Sequence, residues 1–228
     1  MDGIIVVDKP TGWTSFDVCA KIRNLTKTQK VGHSGTLDPM ATGVLVCFLG
    51  RATKTIQNHV GADKEYEGEM TLGVTTDTYD ADGKVISKDS TLCCPNKDQI
   101  QELFKRNLGK QKQKPPMYSA KKINGKPLYK LARQGITIER PDKDIEIHSF
   151  DLLGIMGDKI RFKLKCSKGT YVRVLAHEIG QELGCGAHLS ALQRTAAGSF
   201  RIESAHTIDQ IIALSQENKL ATILLPYG

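Results

Sequence analysis

Apolar positions break the chain into short strand-like and helix-like stretches. Residues 4–7 are a continuous apolar run closed by Asp8-Lys9-Pro10-Thr11-Gly12, the pattern of a buried strand ending in a turn. Thr14-Ser15-Phe16-Asp17 offers a capping box, and Val18, Ile22 and Leu25 then recur on one helical face. Residues 44–49 are a second apolar run, set between Gly43 and Gly50, and predict another buried strand. After a short helix over 51–60, residues 65–72 alternate, with Tyr66, Met70 and Leu72 facing inward against Glu65, Glu67 and Glu69. Further on the pattern predicts a strand over 84–87 and a helix capped by Asn96 that carries Ile100, Leu103, Phe104 and Leu108. Strands are expected at 136–138, 145–153 and 158–166. A helix with Val172, Leu175, Ile179 and Leu183 on its apolar face follows and stops at Gly184. A strand near Phe200 and Ile202 and a helix from Thr207 complete the chain. Without regular β-α alternation, and with several strands able to pair as hairpins, the fold class is α+β, with a mixed, largely antiparallel central sheet flanked by helices.

The stretch before the second apolar run has a different character. Between Lys30 and Gly43, glycines at 32, 35 and 43 and Pro39 space out His33, Ser34, Thr36 and Asp38, all able to bond or ionise. Glycine permits tight turns and close approach of a ligand, and proline pushes the residue before it towards an extended backbone. A carboxylate is thereby held in a constrained loop ahead of a core strand, where chemistry commonly sits. Asp-Pro also opens turns and caps helices, but Gly43 leaves room for barely one helical turn. Gly32-His33-Ser34-Gly35-Thr36 lacks the final glycine of a nucleophile elbow and the strand-turn-helix order the elbow needs.

Composition is that of an ordinary soluble globular protein, with 39% hydrophobic and 25% charged residues. No apolar run approaches the length needed to cross a bilayer, and the first residues do not form a signal peptide. The cysteines at 19, 47, 93, 94, 166 and 185 show no disulfide framework, which favours a reduced, cytoplasmic setting. Charge is concentrated: ten basic residues and no acidic one lie between Lys105 and Arg133, more than the whole net charge of +7. This patch, interleaved with Tyr118 and Tyr129, suits a polyphosphate backbone. Its prolines and glycine exclude an amphipathic membrane helix, and a span this long with little apolar pattern reads as a functional loop. Arg173 stands in the first turn of its helix, where the dipole disfavours a cation, so it requires either exposure or a carboxylate partner. Residues 75–83 are rich in acidic and hydroxyl groups but lack EF-hand spacing. Cys185-Gly186-Ala187-His188 is at best half a zinc site, and no nucleotide-binding glycine loop is present.

Several ordered blocks resemble the TruB family of tRNA pseudouridine synthases. They are Gly3 to Pro10 with Gly12, Thr14 and Ser15; the loop sequence GHSGTLDPMATGVL from Gly32 to Leu45; and Tyr66 with Leu72-Gly73 and Thr76-Asp77-Thr78. Pro115 to Lys122 with Gly125, Leu128-Tyr129 and Ala132-Arg133, then Cys166 to Arg173, and finally Ala187 to Leu192 complete the set. The resemblance implies a pseudouridine synthase catalytic domain over 1–228 with a basic RNA-contacting insertion at 109–135. It implies that the C-terminal RNA-binding (PUA-like) domain carried by many members is absent. The implied reaction isomerises uridine 55 in the T-loop of tRNA: the base leaves C1′, turns, and rejoins through its C5. Asp38 would be the nucleophile, attacking either the ribose or the uracil ring, and Arg173 the cation that keeps it ionised. Tyr66 would stack on the base, Tyr171 would contact it and handle the C5 proton, Leu192 would line the pocket, and His33 would help extract the uridine. Lys9, Lys112, Lys114, Lys121, Lys122, Lys126, Lys130 and Arg133 would contact RNA. No metal or organic cofactor is implied. The partner implied is the T-arm of tRNA, met by a monomer with no membrane and no obligatory protein partner. Gln193 departs from the pattern, standing where the family usually has a basic residue. Two other readings remain: a non-catalytic RNA-binding or tRNA-folding protein using the basic insertion, and a nucleoside hydrolase acting through Asp38 and releasing uracil.

Overall fold

The structure, a computed structural model, describes residues 1–89, 95–119, 122–123, 125–132 and 134–227. The chain forms two compact units, Met1–Glu67 with Leu192–Gly228, and Gly68–Ala191.

In the first unit, strand β1 (Gly3–Lys9) is buried along almost its whole length. Helix α1 (Ser15–Thr26) follows, opened by the expected capping box: Thr14 accepts from the Asp17 amide, and Asp17 accepts from the Thr14 amide. Its Val18 and Ile22 are fully buried, and it stops at Lys27, which adopts a left-handed conformation (φ 54°). Strands β2 (Val31–His33) and β3 (Thr42–Leu49) pair antiparallel, from Val31 opposite Leu49 to His33 opposite Cys47, so residues 34–41 form the loop of a hairpin. β3 pairs antiparallel with β1, and their side chains Ile4, Val6, Val44, Val46 and Phe48 build one core. A 3-10 turn (Gly50–Thr55) and a short helix α2 (Ile56–Val60) lead to β4 (Lys64–Leu72), where the chain enters the second unit.

That unit opens with a hairpin of β5 (Val74–Thr76) and β6 (Val85–Lys88). Helix α3 (Lys97–Arg106), with Asn96 and Gln99 as its capping box, buries Ile100, Leu103 and Phe104, whereas Leu108 lies beyond its end and is exposed. Residues 109–135 are less irregular than expected. They hold β7 (Gly109–Gln113), a hairpin of β8 (Lys122–Ile123) and β9 (Lys126–Pro127), and helix α4 (Leu128–Ala132). The sequence hides β7 because Gly-Lys-Gln-Lys-Gln contains no apolar residue; its pairing with β10 (Lys143–Met156) supplies the backbone partners. The strand expected at 136–138 is not formed. β11 (Lys159–Cys166) pairs antiparallel with β10, and the sheet runs β4, β11, β10, β7. Phe104 stacks on Phe150, and Phe162 meets both rings edge-on. Gly68 passes so close to Phe162 that a Cβ there would lie 2.4 Å from the ring. Helix α5 (Val172–Glu182) buries Val172, Leu175 and Ile179 as its pattern predicted and gives way to Gly184 (φ 80°).

The chain returns to the first unit within β12 (Ala187–Ala197), a strand its weak apolar pattern did not announce. Its end pairs parallel with β3, Gln193 opposite Thr42 and Arg194 opposite Gly43. β13 (Phe200–Arg201), β14 (His206–Thr207) and helix α6 (Ile208–Gln216) follow, with Thr207 capping the helix. Leu225 bridges Ile4 at the end of the chain. The mixed α+β class with mainly antiparallel pairing is therefore the observed one. Cys93 and Cys94 lie outside the described residues.

Candidate active site

Asp38 sits half-buried near the middle of the hairpin loop between β2 and β3, and its neighbours are fixed one by one. The buried Ser15 hydroxyl at the start of α1 accepts from the Leu37 amide (2.9 Å) and donates to the Leu37 carbonyl (3.3 Å). The Pro39 carbonyl accepts from the Gly12 amide (2.9 Å) and from the Lys9 ammonium (3.1 Å). Thr11 donates to the carbonyl of Met40, and the Ala41 amide closes a turn onto the carbonyl of Asp38 (3.1 Å). At the end of the loop, Thr42 donates to the carbonyl of Leu192. The residues on both sides of the carboxylate are thus tied to the scaffold, which is how a reactive group on a loop acquires a fixed position.

Sequence reasoning missed one residue of this arrangement. Arg194 of β12 is buried, 2% exposed, and its Nε donates to the Val44 carbonyl at 2.7 Å. Its two terminal nitrogens donate to the carbonyls of Gly35 (3.1 Å) and Thr36 (3.5 Å), so one guanidinium spans both ends of the loop. Gly43, at φ 97°, lets β3 approach this strand; a Cβ there would lie 2.3 Å from the Arg194 carbonyl oxygen. His33, at the loop's other end, accepts at Nδ1 from the Gly35 amide (3.3 Å). Burial pushes the His33 imidazole below its ordinary pKa, and the Arg194 charge adds to the effect against the opposing Gly35 contact. The ring is therefore neutral at pH 7.

Lys9 also differs from expectation. Its side chain is completely buried, and the ammonium donates to the carbonyls of Pro10 (2.9 Å), Trp13 (2.7 Å) and Pro39 (3.1 Å). A surface contact with RNA does not fit that environment; Lys9 instead secures the turn after β1 to the Asp38 loop. Tyr66 is buried, as its inward position on β4 required, and Leu192 and Gln193 are half-buried beside Thr42.

In the second unit, Arg173 is buried and has a carboxylate partner, as the first turn of α5 demanded. Its Nη1 lies 3.3 Å from Oδ2 of Asp80 and donates to the carbonyl of Thr78 (3.1 Å), while Nη2 donates to the carbonyl of Tyr118. The polar stretch 75–83 therefore houses the counter-ion of an arginine. Asp80 also accepts from the Thr78 hydroxyl and the Asp82 amide. Tyr171 caps α5 with its ring half-exposed, and the buried Gln113 side chain bonds both its amide (2.8 Å) and its carbonyl (3.1 Å). Gln113, like Arg194, carried no local signal in the sequence. Lys112, Lys114 and Lys130 are exposed; Lys122 and Lys126 lie in the β8–β9 hairpin; Lys121 and Arg133 lie outside the described residues. Among the described residues no group of His, Cys, Asp and Glu side chains is assembled to hold a metal ion, and no helix is long and apolar enough to cross a membrane.

Residues 23–172 match the TruB family pseudouridylate synthase N-terminal domain, and residues 173–227 match the tRNA pseudouridylate synthase B C-terminal domain. The tRNA pseudouridine synthase B of Opitutus terrae is 48% identical over 94% of this chain and 88% of its own. That of Francisella philomiragia is 47% identical over 98% of this chain and 74% of its own. Among solved structures, a Cbf5-Nop10-Gar1 complex superposes with a TM-score of 0.76 at 30% identity, covering 99% of this chain and 60% of that one. The Nop10-Cbf5 complex of an archaeal box H/ACA sRNP gives 0.72 at 27% identity, over 99% and 60%. The chain thus spans about three-fifths of those two solved chains.

Proposed function

Since the chain belongs to the TruB family of pseudouridylate synthases, we propose that it isomerises uridine 55 in the T-loop of tRNA to pseudouridine through Asp38. The observation that carries this reading is the fixation of the Asp38 loop: Leu37, Pro39 and Met40 are each bonded to residues 9–15, and Gly35 and Thr36 to Arg194. A non-catalytic RNA binder has no need to hold one carboxylate so firmly. In the reaction the N1–C1′ bond breaks and a C5–C1′ bond forms, C5 loses a proton and N1 gains one. No oxidant, reductant or group donor enters. Asp38 attacks the ribose or the uracil ring, and its carboxylate must be ionised to do so. The other residues keep the roles the resemblance implies: Tyr66 stacks on the base, Tyr171 contacts it and handles the C5 proton, Leu192 lines the pocket, and Arg173 supports the carboxylate's charge. His33, neutral and fixed by Gly35, helps extract the uridine, since a base within a folded loop must be turned out to react. Lys112, Lys114, Lys122, Lys126 and Lys130 meet the phosphate backbone. Lys9 takes no part in that contact.

The test is to incubate the purified protein with a T-arm transcript and map modified positions. Pseudouridine at the position equivalent to 55 is expected from the wild-type chain and none from Asp38→Asn. Release of free uracil would make the protein a hydrolase, and tight binding with no product would make it an RNA-binding protein.

A further inference from the structure

We infer that Arg194 is a positioning residue of the reaction, setting the geometry of the Asp38 loop and the electric field in which it works. The inference rests on the proposed isomerase reading for its kinetic part, and on the structure of the free protein for the rest.

A guanidinium carries five N–H donors arranged in a rigid planar fork. In Arg194 that fork is used across the loop: Nη1 and Nη2 reach Thr36 and Gly35 before Asp38, and Nε reaches Val44 after it. Both ends of the hairpin loop are therefore referenced to one rigid plane, which the pairing of Arg194 with Gly43 fixes on β12. Gly43 is the complement of this device, because any side chain there would force β3 away from the Arg194 backbone. A lysine could donate to one or two of these carbonyls but could not span the loop.

Among the described residues no carboxylate pairs with Arg194; its bonds are all to backbone carbonyls. Carbonyl dipoles stabilise a buried cation without cancelling its charge, so a net positive potential persists around the loop. His33 lies within it: burial first, and then the Arg194 charge, disfavour its imidazolium. The same potential favours anionic groups of the substrate around the loop.

Arg194→Lys and Arg194→Met in the full chain test this. With T-arm RNA, Arg194→Met is expected to lose about 10²-fold in kcat, the scale of a displaced reacting group, with KM changed by less than about threefold. Arg194→Lys should recover only part of that loss, because it restores charge without the fork. In the RNA-free protein, the His33 pKa followed by NMR should rise in Arg194→Met and stay near the wild-type value in Arg194→Lys. Unchanged kcat in a folded Arg194→Met protein would overturn the proposal, as would an unmoved His33 pKa. Full recovery of kcat by lysine would overturn the role of the fork. Loss of the fold in both variants would make Arg194 a purely structural cation and would also overturn it. If the wild-type chain fails to form pseudouridine, the isomerase reading falls, while the His33 measurement still decides whether Arg194 sets the field of the loop.

Discussion

Arg173 and Asp80 form a buried ion pair, Nη1 to Oδ2 at 3.3 Å, with side chains only 4% and 5% exposed. Breaking such a pair from one side is costly, by roughly 3–5 kcal/mol, because the surviving buried charge loses that contact. Arg173→Met and Asp80→Asn should each lower the urea midpoint accordingly. The double variant should lose less than the sum, since the contact between the two side chains is already lost with the first change. Additive losses in the four-member cycle would show that the two side chains do not stabilise one another.

Asp38→Asn should abolish turnover by several orders of magnitude while leaving RNA affinity within a few-fold, because it removes the chemical step alone. Parallel measurement of single-turnover rate and binding separates the two quantities. Substantial turnover in this variant would remove Asp38 from the chemistry.

Gly43→Ala should destabilise the first unit by about 2 kcal/mol or more, through a left-handed backbone and a clash with the Arg194 carbonyl. An equilibrium denaturation curve within 0.5 kcal/mol of wild type, the range of an ordinary surface change, would mean the strands can separate without penalty. The turnover of the variant, measured where it is fully folded, should fall as well.

Lys9→Met should also reduce stability, by about 2 kcal/mol or more, since the Pro10 and Trp13 carbonyls lose the donor that the ammonium now supplies. Affinity for a T-arm transcript should stay within about threefold. A large loss of affinity with stability intact would restore Lys9 to the RNA-contacting set.

His33 and His177 are both held below the ordinary histidine pKa, chiefly by burial. The unfolded chain protonates near pH 6.5, before the native one, so acid favours unfolding: stability is complete above that pH and declines as pH falls through the depressed native values. Urea midpoints between pH 7.5 and 5 should trace this decline, and His33→Asn should flatten it. A slope unchanged in His33→Asn and in His177→Gln would assign the decline to other groups.

Local signals in the sequence carried the elements that depend on local physics. The apolar runs of β1 and β3, the Thr14–Asp17 capping box, the Asn96 cap, and the periodic faces of α3 and α5 all appear where their residues place them. The constrained carboxylate loop was legible too, from glycine, proline and polar spacing around Asp38. Tertiary structure alone decided what holds that loop. The bond from Arg194 to Val44 spans 150 positions, and the one from Gln113 to Tyr171 spans 58. Neither leaves a trace in hydrophobic periodicity, which reports which face of an element is buried and not which distant carbonyl a polar side chain meets. For the same reason β7 and β12 escaped notice, their residues being too polar or too small to mark a buried face. Lys9, placed among the RNA-contacting residues by the resemblance, has a completely buried side chain. The convergence of three carbonyls, two from the turn just after it and one from the Asp38 loop, helps to make its burial tolerable.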